Sequence, residues 1–323
     1  MKNVCIVGYG AIGPIHAAAV EKTHNAKVYA VCDINPEKIK ICKSNYDVVA
    51  YTDFDKMLLD KNIDSVHICT PHHLHFEMTK KAIRAGKSVV CEKPLTMTQP
   101  EFKKLSELEN SNKICAVLQN RLNPCIKKLK LIADSGELGE IKSLKGFLTW
   151  SRTKEYYERE PWRGSWETEG GGVLINQAVH TLDYFSYIGG NITSVKANIM
   201  NYSLPEIQVE DTCVAHMNFE NGATGVFFAT NAYGRNSAPD LEIVFEKGIA
   251  RYTNTKLYIN EDLTEEDLKP SLGKDYWGKG HEKLMENYYD YNKFFSPCDV
   301  KGTMDTLFAI YQSAKQDGKE ISI

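Results

Sequence analysis

The first apolar runs in the chain are short and separated by polar stretches. Val4–Val7, Val28–Cys32, Ser65–Cys69, Ser88–Cys91 and Ile114–Leu118 are rich in valine, isoleucine and cysteine. Runs of this length without strict alternation read as strands buried on both faces. Helical spacing fills the gaps at Ala11–Lys22, Pro36–Ser44 and His75–Ala85. Strand and helix in alternation predict an α/β, doubly wound parallel sheet with helices on both sides.

Beyond about residue 121 the pattern changes. It predicts a helix over Asn123–Ala133, a long strand over Glu140–Arg152, an irregular aromatic segment and a helix from Gly172 to Ile188. Strands follow at Ser194–Ile199, Asp211–Phe219, Thr224–Thr230, Leu241–Phe245 and Ile249–Tyr252, with hairpin turns at Gly222 and Lys247-Gly248. Helices over His281–Phe295 and Val300–Gln316 close the chain. We therefore expect two domains, residues 1–121 on the parallel sheet and 122–323 as an α+β domain on a largely antiparallel open sheet.

Charge and cysteine content narrow the partners. Lys+Arg number 39 against 42 Asp+Glu, for a formal charge of -3. That balance offers no basic field for nucleic acid or an anionic membrane. No apolar run approaches the roughly 18 residues of a membrane helix. The start, Met1-Lys2-Asn3-Val4, lacks a signal peptide's apolar core, so the mature chain is expected to begin there. The nine cysteines are odd in number and lack metal-ligand spacing. They read as reduced, buried thiols of a cytoplasmic protein.

Candidate chemistry begins at Gly8-Tyr9-Gly10-Ala11-Ile12-Gly13, a G-x-G-x-x-G loop between the first strand and the first helix. Gly8 allows the tight turn, Gly10 lets backbone amides approach a pyrophosphate, and Gly13 allows close helix–strand packing. Asp33 ends the second strand, about twenty residues on, where a carboxylate accepts hydrogen bonds from ribose hydroxyls. Ile34 and Asn35 follow it, with no cation for a 2′-phosphate, which favours NAD over NADP.

Two further strand ends carry polar turns, Thr70-Pro71-His72-His73-Leu74-His75 and Glu92-Lys93-Pro94. Strand carboxyl ends face the ligand crevice in open parallel sheets. His72, His73 and His75 have no Cys or Asp partner at zinc spacing, so no metal is expected. Gly170-Gly171-Gly172 leads to Asn176 and His180, which are four apart and would share a helix face.

These motifs resemble the glucose–fructose oxidoreductase/inositol dehydrogenase (Gfo/Idh/MocA) family along essentially the whole chain. Tyr156-Tyr157, Trp162-Arg163-Gly164 and Tyr276-Trp277-Gly278-Lys279-Gly280-His281 extend the likeness. The resemblance implies an N-terminal Rossmann domain and a C-terminal sheet domain that holds substrate and forms homo-oligomers, as a dimer or tetramer. It maps the catalytic lysine to Lys93 and the catalytic histidine to His180. The position four before that histidine is often aspartate in the family, and asparagine in some of its sugar dehydrogenases. Neutral Asn176 adds no charge to His180. Thr70, Pro71, His75, Glu92, Trp162 and Arg163 fall to the cofactor, and Tyr157 joins Lys93, Asn176 and His180 as a substrate contact. Arg121, at the junction of the domains, is a substrate or cofactor candidate, and His281, near a helix start beside Trp277, is a substrate contact or a helix cap.

The residue types suit hydride transfer from a carbinol. Imidazole acts as base or acid near neutrality, and an ammonium stabilises developing alkoxide charge. Glu92 is placed to position the lysine or to neutralise it. The expected activity is an NAD-dependent oxidoreductase acting on a CH–OH group of a sugar, inositol or related polyol. Two alternatives stand beside it: an NAD-using glycosidase or lyase working through transient ring-carbon oxidation, and a non-catalytic nucleotide sensor.

Overall fold

The computed structural model describes residues 1–323. Its first 119 residues hold β1 (Lys2–Val7), α1 (Gly13–Val20), β2 (Ala26–Cys32), α2 (Pro36–Asn45), β3 (Val49–Tyr51), α3 (Phe54–Leu58), β4 (Ser65–Ile68), α4 (His72–Arg84), β5 (Ser88–Cys91), α5 (Gln99–Ser106) and β6 (Ile114–Ala116). The strands are all parallel, in the order β3-β2-β1-β4-β5-β6. Strand order reverses between β1 and β4, so a crevice opens at their carboxyl ends, where such sheets bind ligands. Val4, Cys5 and Ile6 of β1 and Val66 and Ile68 of β4 have no exposed surface. Burial on both faces explains the unbroken apolar runs.

The rest of the chain forms α6 (Pro124–Ser135), β7 (Ile141–Thr149), α7 (Lys154–Glu158), α8 (Val179–Gly189), β8 (Ile192–Met200), β9 (Thr212–Phe219), β10 (Thr224–Thr230), β11 (Asp240–Phe245), β12 (Gly248–Thr253), β13 (Lys256–Ile259), β14 (Asp262–Glu266), α9 (Gly280–Tyr291), α10 (Lys301–Ala314) and β15 (Ile321–Ser322). The second sheet runs β14-β13-β12-β11-β7-β10-β9-β8-β15. It is antiparallel except for the parallel pair β7–β10. One cross-strand row, Ala197, Ala215, Phe227, Gly146, Leu241 and Tyr252, lies on the face covered by α8 and α10. Phe185 of α8 sits over it, so close to Gly225 that a Cβ there would lie 2.9 Å from its ring. The opposite face leaves Val214, Val226 and Ile249 exposed. No helix is long and apolar enough to cross a membrane.

Two features depart from the pattern reading. The helix expected from Gly172 begins only at Val179. A Cβ on Gly172 would collide with the Glu210 carbonyl oxygen, and one on Gly171 with the Tyr311 hydroxyl. The amides of Gly172 and Leu174 donate to the Glu210 carboxylate, at 2.9 and 3.1 Å, instead of opening a helical ladder. The second departure concerns the single cut expected after residue 121. By compactness the chain divides into Met1–Gln119 with Pro270–Val300, and Asn120–Lys269 with Lys301–Ile323. The returning segment packs α9 on α1. Gly280 starts α9 against the Gln119 carbonyl, where a Cβ would sit 2.5 Å from the oxygen.

Candidate active site

In the first unit, β1 ends in Gly8, whose φ of +84° suits glycine and whose Cβ position lies 2.7 Å from the Cys69 carbonyl oxygen. A Cβ on Gly13 would stand 2.5 Å from the Gly8 carbonyl oxygen, so α1 packs onto its strand as the loop reading requires. Beside Gly10 nothing lies within 4 Å of the Cβ position. Open space thus fronts the N-terminus of α1 along Ala11 and Ile12, where unbonded amides and the helix dipole suit a pyrophosphate. Asp33 is held at the end of β2. Its Oδ2 accepts the Tyr9 N–H at 2.7 Å and its Oδ1 the Asn35 N–H at 2.8 Å. This cradle fits an NAD adenosine diphosphate with the carboxylate already oriented.

The two strand-end turns are fastened to each other. The His75 ring places Nδ1 2.7 Å from the Pro94 carbonyl oxygen and Nε2 2.8 Å from that of Thr70. It is buried, and burial holds its pKa below the usual histidine value against the pull of the two carbonyls. The cofactor contact expected of His75 is therefore a clamp between the Thr70-Pro71 and Lys93-Pro94 turns.

Glu92 is also buried. Its Oε2 accepts the Lys93 N–H at 3.2 Å, while Oε1 lies 3.0 Å from His16 Nε2 and 3.7 Å from His281 Nε2. Burial works against its charge, yet the two imidazoles outweigh this and hold its carboxyl well below the ordinary range. His281, expected at the substrate, is 4 % exposed and faces Glu92 and the Trp277 ring instead. Ligand atoms of His16, Glu92 and His281 lie within 4.8 Å of one another, a spacing a cation could bridge, and the Glu92 carboxylate facing both imidazoles accounts for it. That grouping is not at His72, His73 and His75.

In the second unit His180 sits in the first turn of α8, partly exposed, and Asn176 lies in the turns before it. The two do not share one regular helix. Asn176 Nδ2 donates to Glu169 Oε1 at 2.6 Å, and Glu169 Oε2 accepts the Gly164 N–H at 2.6 Å. Glu169 has no exposed surface. Tyr157 is buried, and its hydroxyl accepts from Asn231 Nδ2 at 3.2 Å. The Arg163 guanidinium stacks 4.3 Å from the Tyr156 ring and 5.3 Å from that of Trp162, donating to the Tyr156 carbonyl at 3.1 Å.

Arg121 departs from its expected role. Its Nε and one terminal nitrogen donate to the two oxygens of buried Asp183, at 2.8 and 2.6 Å, and the guanidinium stacks 4.5 Å over Tyr187. A bidentate buried pair of this kind is structural; the arginine is committed to Asp183 and not to a ligand.

The pattern reading passed over His16, His67, Glu169 and Glu210. His16, three residues after Gly13 on an apolar helix, and Glu169, directly before three glycines, were legible as residues out of place. Nothing along the chain tied them to partners 76 and 7 residues away.

Comparison with known proteins identifies the family of the fold. Residues 2–119 match the family model described as oxidoreductase family, NAD-binding Rossmann fold, and residues 126–251 match the GFO/IDH/MocA C-terminal domain. An uncharacterized oxidoreductase, YrbE, of Bacillus subtilis (strain 168) is 29% identical over 88% of this chain and 81% of that protein. The scyllo-inositol 2-dehydrogenase (NAD(+)) of the same organism is 30% identical over 72% of this chain and 68% of its own. The WlbA dehydrogenase of Bordetella pertussis, solved with NADH and UDP-GlcNAcA, superposes with a TM-score of 0.89 at 26% identity, covering 100% of this chain and 97% of that one.

Proposed function

The chain belongs to the Gfo/Idh/MocA family of NAD-binding oxidoreductases, and from that premise we propose that it is an NAD-dependent dehydrogenase of a sugar, inositol or related polyol. The observation that carries this reading is the cradle: open space at Gly10 and α1, rimmed by an Asp33 carboxylate that two backbone amides hold in place. A fixed carboxylate there accepts ribose hydroxyls and repels a 2′-phosphate, hence NAD over NADP.

Nicotinamide bound in such a cradle supplies the hydride acceptor. His180 is assigned to take the hydroxyl proton of the carbinol. Lys93, fixed through its backbone to Glu92, is assigned to hydrogen-bond the reacting oxygen and stabilise the charge that builds there. Asn176 orients the substrate, and Trp162 with Arg163 borders the cofactor. Eight of the nine unpaired thiols are buried, and Cys298 departs from the expectation by being exposed; a set of free thiols suits the cytoplasm. The open face of the second sheet is the surface we assign to a homo-oligomer, because exposed Val214, Val226 and Ile249 interrupt its charges.

The test is to incubate the protein with NAD and a panel of sugars, inositols, nucleotide sugars and glycosides while following nicotinamide absorbance. Steady NADH accumulation supports the dehydrogenase; glycoside cleavage without net NADH replaces it with redox-assisted cleavage.

A further inference from the structure

Behind the Glu92-Lys93 turn, buried polar side chains form a continuous row through the first unit. His16 Nε2 is 3.0 Å from Glu92 Oε1, and His16 Nδ1 is 3.0 Å from His67 Nδ1. His67 Nε2 is 2.7 Å from the Tyr289 hydroxyl, which is 2.9 Å from Ser65 Oγ. His16, His67 and Ser65 have no exposed surface; Tyr289 is partly exposed.

Hydrogen-bond logic allows this row two arrangements. His16 Nε2 faces a carboxylate and so carries hydrogen. The Nδ1···Nδ1 contact needs one hydrogen, on one ring or the other. If it is on His67, then His67 Nε2 is bare and Tyr289 donates to it. If it is on His16, that ring is an imidazolium, His67 Nε2 carries hydrogen, and Tyr289 accepts from it and donates to Ser65. The arrangements differ by one proton.

We propose that Ser65, Tyr289, His67 and His16 form a proton relay that sets the net charge beside Lys93, an inference that rests on reading Lys93 as the group at the reacting hydroxyl. A proton bound at the Tyr289 oxygen, the one member of the row that is partly exposed, sends the tyrosine hydrogen to His67 Nε2 and the His67 Nδ1 hydrogen to His16 Nδ1, and the hydrogen left on Tyr289 is donated to Ser65. Each O–H or N–H bond that breaks is replaced by one that forms, and no electrons are transferred. His16 then neutralises Glu92, and the negative charge that stands directly before Lys93 in the chain is lost. His16 and His67 are positioning residues, acting on the chemistry through Glu92.

The other groups facing this row leave it the mobile proton. His281 on α9 and His75 on α4 are pushed toward their neutral forms by burial. Burial also holds Cys69 and Cys115 well up as thiols and Cys91 and Tyr288 at about 12, and Asp64, although burial opposes its charge, is held low by the Asn3 amide and Lys2. His67 is well below the usual histidine range, through burial and then the His16 charge, so His67 does not itself keep a second proton.

The test needs no substrate. In the full-length protein, the pH at which Lys93 becomes half-reactive toward an amine-acylating reagent is read by peptide mass spectrometry, with NAD affinity measured in parallel. Tyr289→Phe leaves a His67 N–H without an acceptor in the protonated arrangement, which costs more than a bare ring nitrogen. The relay then stays unprotonated, Glu92 stays uncompensated, and the Lys93 midpoint rises by about half a unit or more. Ser65→Ala, a smaller change, shifts it the same way and decides the matter if Tyr289→Phe unfolds. An unmoved midpoint in a folded variant that binds NAD overturns the relay. A polyol panel without turnover removes the dehydrogenase reading and leaves this midpoint as it was.

Discussion

Asn176 Nδ2 lies 2.6 Å from Glu169 Oε1, so the amide turns its NH2 to a carboxylate and its Oδ1 to the other side. Only the donor end of an asparagine can face a carboxylate at this distance. Position 176 is thus neutral, and a buried carboxyl stands one contact away from the place where the family often carries an aspartate.

An aspartate at 176 would meet Glu169 at that contact. Asn176→Asp is therefore expected to make the two carboxyls share a proton, raising the folded-state pKa of the pair. A raised pKa gives stability that is lost as pH rises, so the variant's melting temperature should fall further below wild type at pH 8 than at pH 5, by about 3 °C or more. Equal deficits at both pH values would show that the carboxyls do not interact. Glu169→Gln, which cannot accept from both Gly164 and Asn176, should lower kcat/KM about tenfold with NAD affinity unchanged.

The parallel sheet and its glycine loop were legible because their signals are local: apolar runs, a turn that demands glycine, a carboxylate at a strand end. The late start of α8 was not. Its cause is Glu210, whose carboxylate captures amides 38 and 36 residues earlier in the chain. Arg121 misled for a similar reason. An arginine at the junction of the two expected domains reads as a ligand contact until Asp183, 62 residues on, is seen to accept from two of its three nitrogens. The return of residues 270–300 to the first unit likewise rests on packing of α9 against α1, which a helical period cannot reveal.

Asp33 should decide the cofactor. Wild type is expected to favour NAD over NADP by at least about tenfold in kcat/KM, and Asp33→Ser to narrow the ratio. Because Asp33 also accepts the Tyr9 and Asn35 amides, the variant should lose some NAD affinity as well. Equal kcat/KM values for the two cofactors in wild type would reject the assignment.

Lys93→Ala tests whether the lysine works only while charge builds on the reacting oxygen. The expected outcome is a fall in kcat of about a hundredfold or more with little change in NAD affinity. Normal turnover would remove Lys93 from the mechanism.

For the open sheet face, light scattering at micromolar concentration should give the mass of a dimer or tetramer. Val226→Lys places a charge in the cross-strand row that already holds Lys145 and Arg251, and should shift the population toward monomer. A wild-type monomer would leave this face without the partner assigned to it.

Glu210 should write its own signature into stability. It is buried, and burial pushes its carboxyl up to about 7, although Gly172, Leu174 and Tyr311 donate to it. Between its ordinary value of 4.5 and about 7 the folded chain keeps a proton that the unfolded chain releases. The stability this contributes is fully present below 4.5 and is lost as pH rises through 7. Its size is on the order of 3 kcal/mol, from 1.36 kcal/mol per unit. Glu210→Gln carries no titrating group, so its melting temperature should change less between pH 5 and pH 8 than that of wild type. The neutral amide can serve Gly172 with its oxygen and Tyr311 with its NH2, while the Leu174 amide loses its acceptor, which lowers stability at every pH. The informative quantity is therefore the slope and not the offset: curves for the two proteins that run parallel from pH 5 to pH 8 would mean that Glu210 holds no extra proton in the folded state.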